Sequence, residues 1–315
     1  MTDKPDLATI LGEVDSSTFL GLSARSDLNV SDASSAYLGV PGATPYGQMG
    51  AFARNAPQAL RVAMAPEASL IDRYNFDLGG PLFPAGCKAA VDCGDLPFNT
   101  EDFAANRAVI RAAVAEIMAA GVVPIVVGGD DSVPIPMLDA LSDTGDSYTL
   151  LQIDAHIDWR DVHMGERFGL SSNMRRASEM AHITQIIQVG ARGTGSAHSD
   201  DVQDALDWGA QIVPAEEVHA HGIAPILARI ETGARIVICF DVDGLDPSVV
   251  PGCLARSPGG LSYGQGLGLL RGAAERGTIA AVDFAEFVPE MDVDEIGAVA
   301  VSRLVTAVMG LAARQ

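Results

Sequence analysis

The sequence predicts an α/β fold in which a central, mostly parallel sheet is covered by helices on both faces. Short β-branched runs recur along the chain, and most are apolar on both faces, as strands are when helices cover both sides of a sheet. Segments with helical spacing lie between them, an alternation that calls for parallel strands joined by right-handed crossovers. No Pro/Gly/Ser-rich linker and no repeat of fixed period divides the chain.

Taken in order, residues 1–35 are largely polar and are expected as an N-terminal arm, either packed on a neighbouring subunit or loose. A single domain is expected over 36–315. Its strands are expected at 36–40, 89–93, 122–127, 148–153, 184–189, 210–213, 235–240 and 279–284, where β-branched or otherwise apolar residues run together. Helices are expected at 103–120, 135–141, 201–208, 223–230, 263–276 and 293–313, from apolar residues at helical spacing.

Composition narrows the function. At 48% hydrophobic and 19% charged over 315 residues the chain is too apolar to be disordered. A chain of this size buries roughly three quarters of its unfolded surface, so its core needs no disulfide support. The formal charge of −21 repels nucleic acid and anionic membrane, and would draw in a small cation. Cys87, Cys93, Cys239 and Cys253 show no C-x-x-C spacing, which fits a reducing compartment. Residues 1–21 lack the pattern of a signal peptide, and the longest apolar stretch, 117–127, is broken by Gly121 and Pro124. A cytoplasmic chain without membrane or nucleic-acid partners is expected.

Ligands of open parallel sheets bind outside the carboxyl ends of the strands, so the polar residues that end each apolar run matter most. Three runs end in acid: Gly128-Gly129-Asp130-Asp131-Ser132, Asp154-Ala155-His156-Ile157-Asp158 and Asp241-Val242-Asp243-Gly244-Leu245-Asp246-Pro247. Any single Asp in such a place serves equally well as a helix N-cap. Three clusters together are costly to bury unless cations neutralise them. In an extended chain Asp154, His156 and Asp158 point one way, as do Asp241 and Asp243. Hard oxygens with one imidazole suit Mn²⁺, and Zn²⁺ or Ni²⁺ less well.

On these residues the chain resembles the ureohydrolase family, the arginases and agmatinases, whose signatures are G-G-D-H-S, D-A-H-x-D and D-x-D-x-x-D-P. Further matches are Gly39-Val40-Pro41, Asp92-Cys93-Gly94-Asp95, Gly259-Gly260-Leu261-Ser262-Tyr263, and Asp283-Phe284-Ala285-Glu286 with Pro289. The resemblance runs from about residue 36 to the end. It implies an arginase-like three-layer sandwich, trimers or hexamers, and two Mn²⁺ ions per subunit, with Ni²⁺ an alternative. It also implies a metal-bridging hydroxide that attacks the guanidinium carbon of a small cationic substrate, releasing urea and an amine. Carried over by position, Asp154 and Asp241 are expected to bridge the metals. Asp158 and Asp131 would complete one shell, His156 and Asp243 the other, and Glu286 would pair with the substrate guanidinium.

The chain departs from the family at two positions near the chemistry. Asp131 stands where the signature has His, so the shell holds five Asp and one His and carries one more negative charge than two divalent cations cancel. Either Asp131 ligates and alters metal preference, or it turns away and weakens one site, or the chain is a non-catalytic or regulatory partner of an active paralogue. Secondly, 167–174 holds no His where the family has its proton shuttle. His163 is the nearest substitute, so Asp158, Glu286 and His163 are the candidate catalytic residues. After the D-A-H-x-D segment, Trp159 is a candidate to stack on a planar cation. Arg160 or Arg175 would grip a carboxylate, and Asp161 or Glu166 a second cationic group. An agmatinase-like or guanidino-acid substrate fits these departures better than arginine does.

Overall fold

A computed structural model describes residues 17–315. Eleven strands are present among these residues: β1 (Ser23–Ala24), β2 (Ser35–Gly39), β3 (Tyr74–Asn75), β4 (Gly80–Pro81), β5 (Val91–Asp95), β6 (Val123–Val127), β7 (Tyr148–Ile153), β8 (Ile183–Val189), β9 (Gln211–Val213), β10 (Arg235–Asp241) and β11 (Thr278–Ala285). Nine pair into one sheet in the order β1-β5-β2-β6-β11-β10-β7-β8-β9, and every pair in it is parallel. All eight expected strands are in this sheet. The small β3–β4 hairpin, too short and polar to stand out in the sequence, lies apart from it.

The α-helices among the described residues are α1 (Ala56–Met64), α2 (Phe103–Ala119), α3 (Pro134–Ala140), α4 (Asn173–Ser178), α5 (Ser199–Trp208), α6 (Ala215–His221), α7 (Ala224–Leu227), α8 (Tyr263–Arg276) and α9 (Ile296–Ala312). Alternate strand residues feed two separate cores, which makes three layers. Ile236, Ile238 and Phe240 of β10 pack with α1, α8 and α9, whereas Val237 and Cys239 face the core built from α2, α3, α4 and α5. Helix α8 begins at the expected residue because Ser262 and Gln265 form a reciprocal capping box. Helix α9 starts three residues later than expected, since the Asp292 carboxylate takes the N–H groups of Gly297 and Ala298.

Two local departures have clear causes. Helix α1 is hidden in the sequence because Arg61 interrupts its apolar stripe. Arg61 points inward and ion-pairs with Asp92 at 2.8 Å and Asp95 at 2.6 Å. The expected arm divides in two: residues 1–16 lie outside the described residues, while 17–35 are built into the domain. Phe19 stacks on Tyr37, donates its N–H to Asp92 Oδ2, and leads into β1 at the sheet edge. No helix among the described residues is long and apolar enough to cross a membrane.

Candidate metal centre

Strands β6, β11, β10 and β7 are neighbours in the middle of the sheet, and their carboxyl ends deliver every acidic cluster to one place. After β6 the chain must turn sharply under the loop from β2. Gly128 and Gly129 permit this with φ of 96° and 77°. A Cβ at Gly128 would sit 2.6 Å from Pro57 Cδ, and one at Gly129 2.9 Å from the Val40 carbonyl, so neither position admits a side chain. Asp130 then turns away from the cleft. It accepts the N–H groups of Ala43 and Ser132 and the Ser132 hydroxyl, fastening the loop after β2. Its neighbour Asp131 faces the cleft and donates its backbone N–H to Glu286 Oε1 at 2.9 Å.

At the end of β7, Asp154 accepts the His156 N–H at 2.6 Å. A single amide, Gln152 Nε2, donates to both Asp154 Oδ2 (2.7 Å) and Asp158 Oδ2 (3.0 Å). Gln152 is itself held by Gln188, which donates to its Oε1 at 2.5 Å and to the Ile157 carbonyl at 2.7 Å. After β10, Asp241 Oδ1 accepts the Asp243 N–H at 2.8 Å, and Asp243 Oδ1 accepts the Ala155 N–H at 3.1 Å, locking the two acidic turns together. Arg192 braces the same region from behind by donating to the carbonyls of Gly190, Asp243, Gly244, Leu245 and Ser257. Two ends carry backbone strain: Asp158 has φ of 45° and Glu286 of 68°, left-handed conformations rare outside Gly and typical of sites fixed for function.

The donor set fits a pair of cations. Ligand atoms of Asp131, Asp154 and Asp241 lie within 4.8 Å of one another, as do those of Asp154, His156 and Asp243, and Asp154 is common to both groups. Asp241 falls in one group only. Asp158 falls in neither, although it lines the same cleft. Burial pushes the carboxyls of Asp131, Asp154 and Asp241 well above the ordinary range, and the neighbouring carboxylates push them further. Burial works against a charge on His156, yet the hydrogen bond to Asp243 and the surrounding acids outweigh it and hold the imidazole at about 9. So many buried acids without matching cations are stable only when protonated or metal-bound.

The remaining candidates separate. Glu286, Arg160 and His163 line a cleft of about 160 Å³ together with Asp131, His156, Asp158, Asp241 and Asp243. Arg160 donates to His163 Nδ1 at 2.7 Å, which leaves the ring's proton on Nε2. Partial burial and the Arg160 charge lower the His163 pKa, disfavouring the imidazolium that a general acid of this kind needs. The expectation that Trp159 stacks on a substrate cation fails: it is 1% exposed, sits in the core, and its ring meets Trp208 edge-on. Asp161 does not line the cleft either, because Arg176 at 2.6 Å and Arg167 at 3.4 Å engage it outside. Arg175 likewise pairs with Asp204 at 2.8 Å.

Several residues of the site escape sequence reasoning. Tyr46 and Ser171 line the cleft and share a hydrogen bond at 2.5 Å. Asn173 contacts Asp131. Asp283 on β11, which the sequence shows only as part of the Asp283-Phe284-Ala285-Glu286 match and without a role, is fully buried; burial pushes its carboxyl up to about 7, with the Cys239 thiol pulling the other way. The available signal for Gln152, Gln188 and Asp283 is a polar side chain inside an otherwise apolar strand.

Comparison with known proteins gives the chain's family and its fold relatives. The sequence model of the Arginase family matches residues 33–310. The mitochondrial agmatinase of Gallus gallus is 30% identical over 246 residues, covering 76% of this chain and 70% of that protein. The guanidinobutyrase of Pseudomonas aeruginosa is 28% identical over 231 residues, covering 72% and 71%. A solved structure of the proclavaminate amidino hydrolase from Streptomyces clavuligerus matches this fold with a TM-score of 0.83 at 24% identity, over 96% of this chain and 98% of that one.

Proposed function

Because the chain belongs to the arginase family, we propose that it is a metal-dependent hydrolase that cleaves a small guanidino compound to urea and an amine. The observation that carries the reading is the pair of ligand groups sharing Asp154, set in one cleft with the carboxylate of Glu286. Asp131, Asp154 and Asp241 would hold one divalent cation, and Asp154, His156 and Asp243 the other. Oxygen-rich ligation favours manganese, with nickel the second fit. Bound there, the ions would supply Lewis acidity and water activated at neutral pH.

The protein's own groups do the rest. A guanidinium is a planar fork of donors and a poor electrophile, so it must be oriented before it can react. Glu286 supplies a buried carboxylate whose position is fixed at both ends: its N–H donates to the Gly129 carbonyl, and its Oε1 accepts from Asp131. Burial raises its pKa in the absence of a cation, so arrival of the substrate guanidinium is coupled to its ionisation. Asp158, held through Oδ2 by Gln152, would carry a proton to the leaving amine. Neutral His163 offers only an Nε2–H at the rim.

The test is urea release from a panel of guanidino compounds after loading with Mn²⁺ or Ni²⁺. Urea from at least one member is expected. Two ions bound per chain with no urea from any member would overturn the reading and favour a non-catalytic partner subunit.

A further inference from the structure

We infer that the substrate carries a carboxylate at the end away from its guanidinium, and that Arg160 receives it. This rests on the hydrolytic reading above and names the substrate class within it. The cleft lining carries the metal-binding acids with Asp158 and Glu286, and a single permanent cation, Arg160; its remaining residues carry no carboxylate. The acidic side chains that follow in the sequence do not reach in: Asp161 is engaged by Arg176 and Arg167, and Glu166 accepts the Phe168 N–H at 2.8 Å.

Arg160 is held but not neutralised. Its Nη1 donates to His163 Nδ1 at 2.7 Å and its Nη2 to the Ser196 carbonyl. Its Nε is buried without a hydrogen-bond partner, and among the described residues no carboxylate lies within ion-pair distance of the guanidinium. Two of its five N–H groups are therefore used to fix the plane, the Nε–H is buried, and the second hydrogens of Nη1 and Nη2 remain to bind. A fixed planar cation with spare donors matches a carboxylate. A substrate ending in an ammonium would instead bring like charge against it.

A matched pair of substrates tests this: 4-guanidinobutanoate, which ends in a carboxylate, and agmatine, which ends in an ammonium. Losing a charge-assisted contact of this kind costs roughly 10- to 100-fold in kcat/KM. The wild-type protein is expected to release urea faster from the carboxylate by at least about tenfold in kcat/KM. Arg160→Gln should remove most of that preference through KM, Arg160→Glu should invert it, and Arg160→Lys should keep part of it. In calorimetric titrations of the metal-loaded protein, 4-aminobutanoate should bind more tightly than putrescine, and Arg160→Gln should abolish the difference. Wild-type urea release that favours agmatine, or equal losses for both substrates in Arg160→Gln with normal folding, would overturn the assignment. Should neither compound yield urea, the hydrolytic reading is what fails. The calorimetric comparison on the wild-type protein then still decides the carboxylate site: tighter putrescine, or equal binding, rejects it.

Discussion

The side-chain amide of Asn173 donates to the backbone carbonyl of Asp131 at 2.9 Å and also to its carboxylate. The residue that stands at the signature's histidine position is thus fixed by a side chain from 167–174, the stretch that holds no histidine.

Asp131→His should consequently change metal preference. It swaps a hard carboxylate for a neutral imidazole and removes the excess negative charge, which favours Ni²⁺ over Mn²⁺. Competitive loading followed by elemental analysis should show a higher ratio of nickel to manganese than in the wild type. Asn173→Ala should weaken metal binding by about 10-fold, as loss of a residue that orients a ligand commonly does. An unchanged metal ratio in the first variant would mean that Asp131 is not a ligand.

Gln152 holds two carboxylates at once, so Gln152→Met should act on both. With its amide gone, Asp154 and Asp158 each lose a donor, and metal affinity should fall by about 10- to 100-fold with the fold intact. Calorimetric titration of the chelated protein with Mn²⁺ measures this. Gln188→Leu should give a smaller effect in the same direction, because it acts only through Gln152.

The pH dependence of stability should reverse when metal is removed. In the metal-free protein Asp283 holds its proton up to about 7 and His156 up to about 9, both above their ordinary values. The folded state therefore binds more protons than the unfolded one. Stability from Asp283 is complete below about 4 and is lost as pH rises through about 7; that from His156 is complete below about 6.5 and lost through about 9. Chelated protein should melt at progressively lower temperature from mild acid to pH 9. Metal-loaded protein should do the opposite at the acid end, since bound ligands must be deprotonated. Parallel melting curves with and without chelator, each across pH 5 to about 9, check both slopes.

Trp159→Ala should be a folding mutation. Its buried indole fills the core beside Trp208, so truncation should cost about 3–5 kcal/mol in denaturant unfolding. Trp159→Phe should cost less and leave KM near the wild-type value. A large KM change in the Phe variant would restore the stacking role that its burial argues against.

What could be read from the sequence follows the physics of a parallel sheet. Strands buried on both faces are apolar throughout, so their ends are marked by the first charged residue, and Asp154 and Asp241 stand out for that reason. The distant contacts were not legible. Trp159 beside the D-A-H-x-D segment looks like a rim residue until Trp208 covers it from α5. Arg61 looks like a solvent-facing charge until Asp92 and Asp95 meet it from β5. Gln152 and Gln188 are polar interruptions in otherwise apolar runs, and their meaning depends on the pairing of β7 with β8 in register.

Glu286 separates substrate binding from metal binding. It lies in neither ligand group, yet it shares the cleft with both and takes a hydrogen bond from the backbone of Asp131. Glu286→Gln keeps that acceptor and the side-chain shape but removes the charge that a guanidinium would meet. Loss of one partner of a buried ion pair costs about 3–5 kcal/mol, so kcat/KM should fall by at least about 100-fold. The number of ions bound should stay the same. Asp154→Ala should instead lose both ions and all turnover, because the carboxylate common to the two groups is gone. Urea assays paired with elemental analysis on the two variants distinguish these outcomes. If Glu286→Gln also lost metal, Glu286 would belong to the metal shell, and the guanidinium would need another partner.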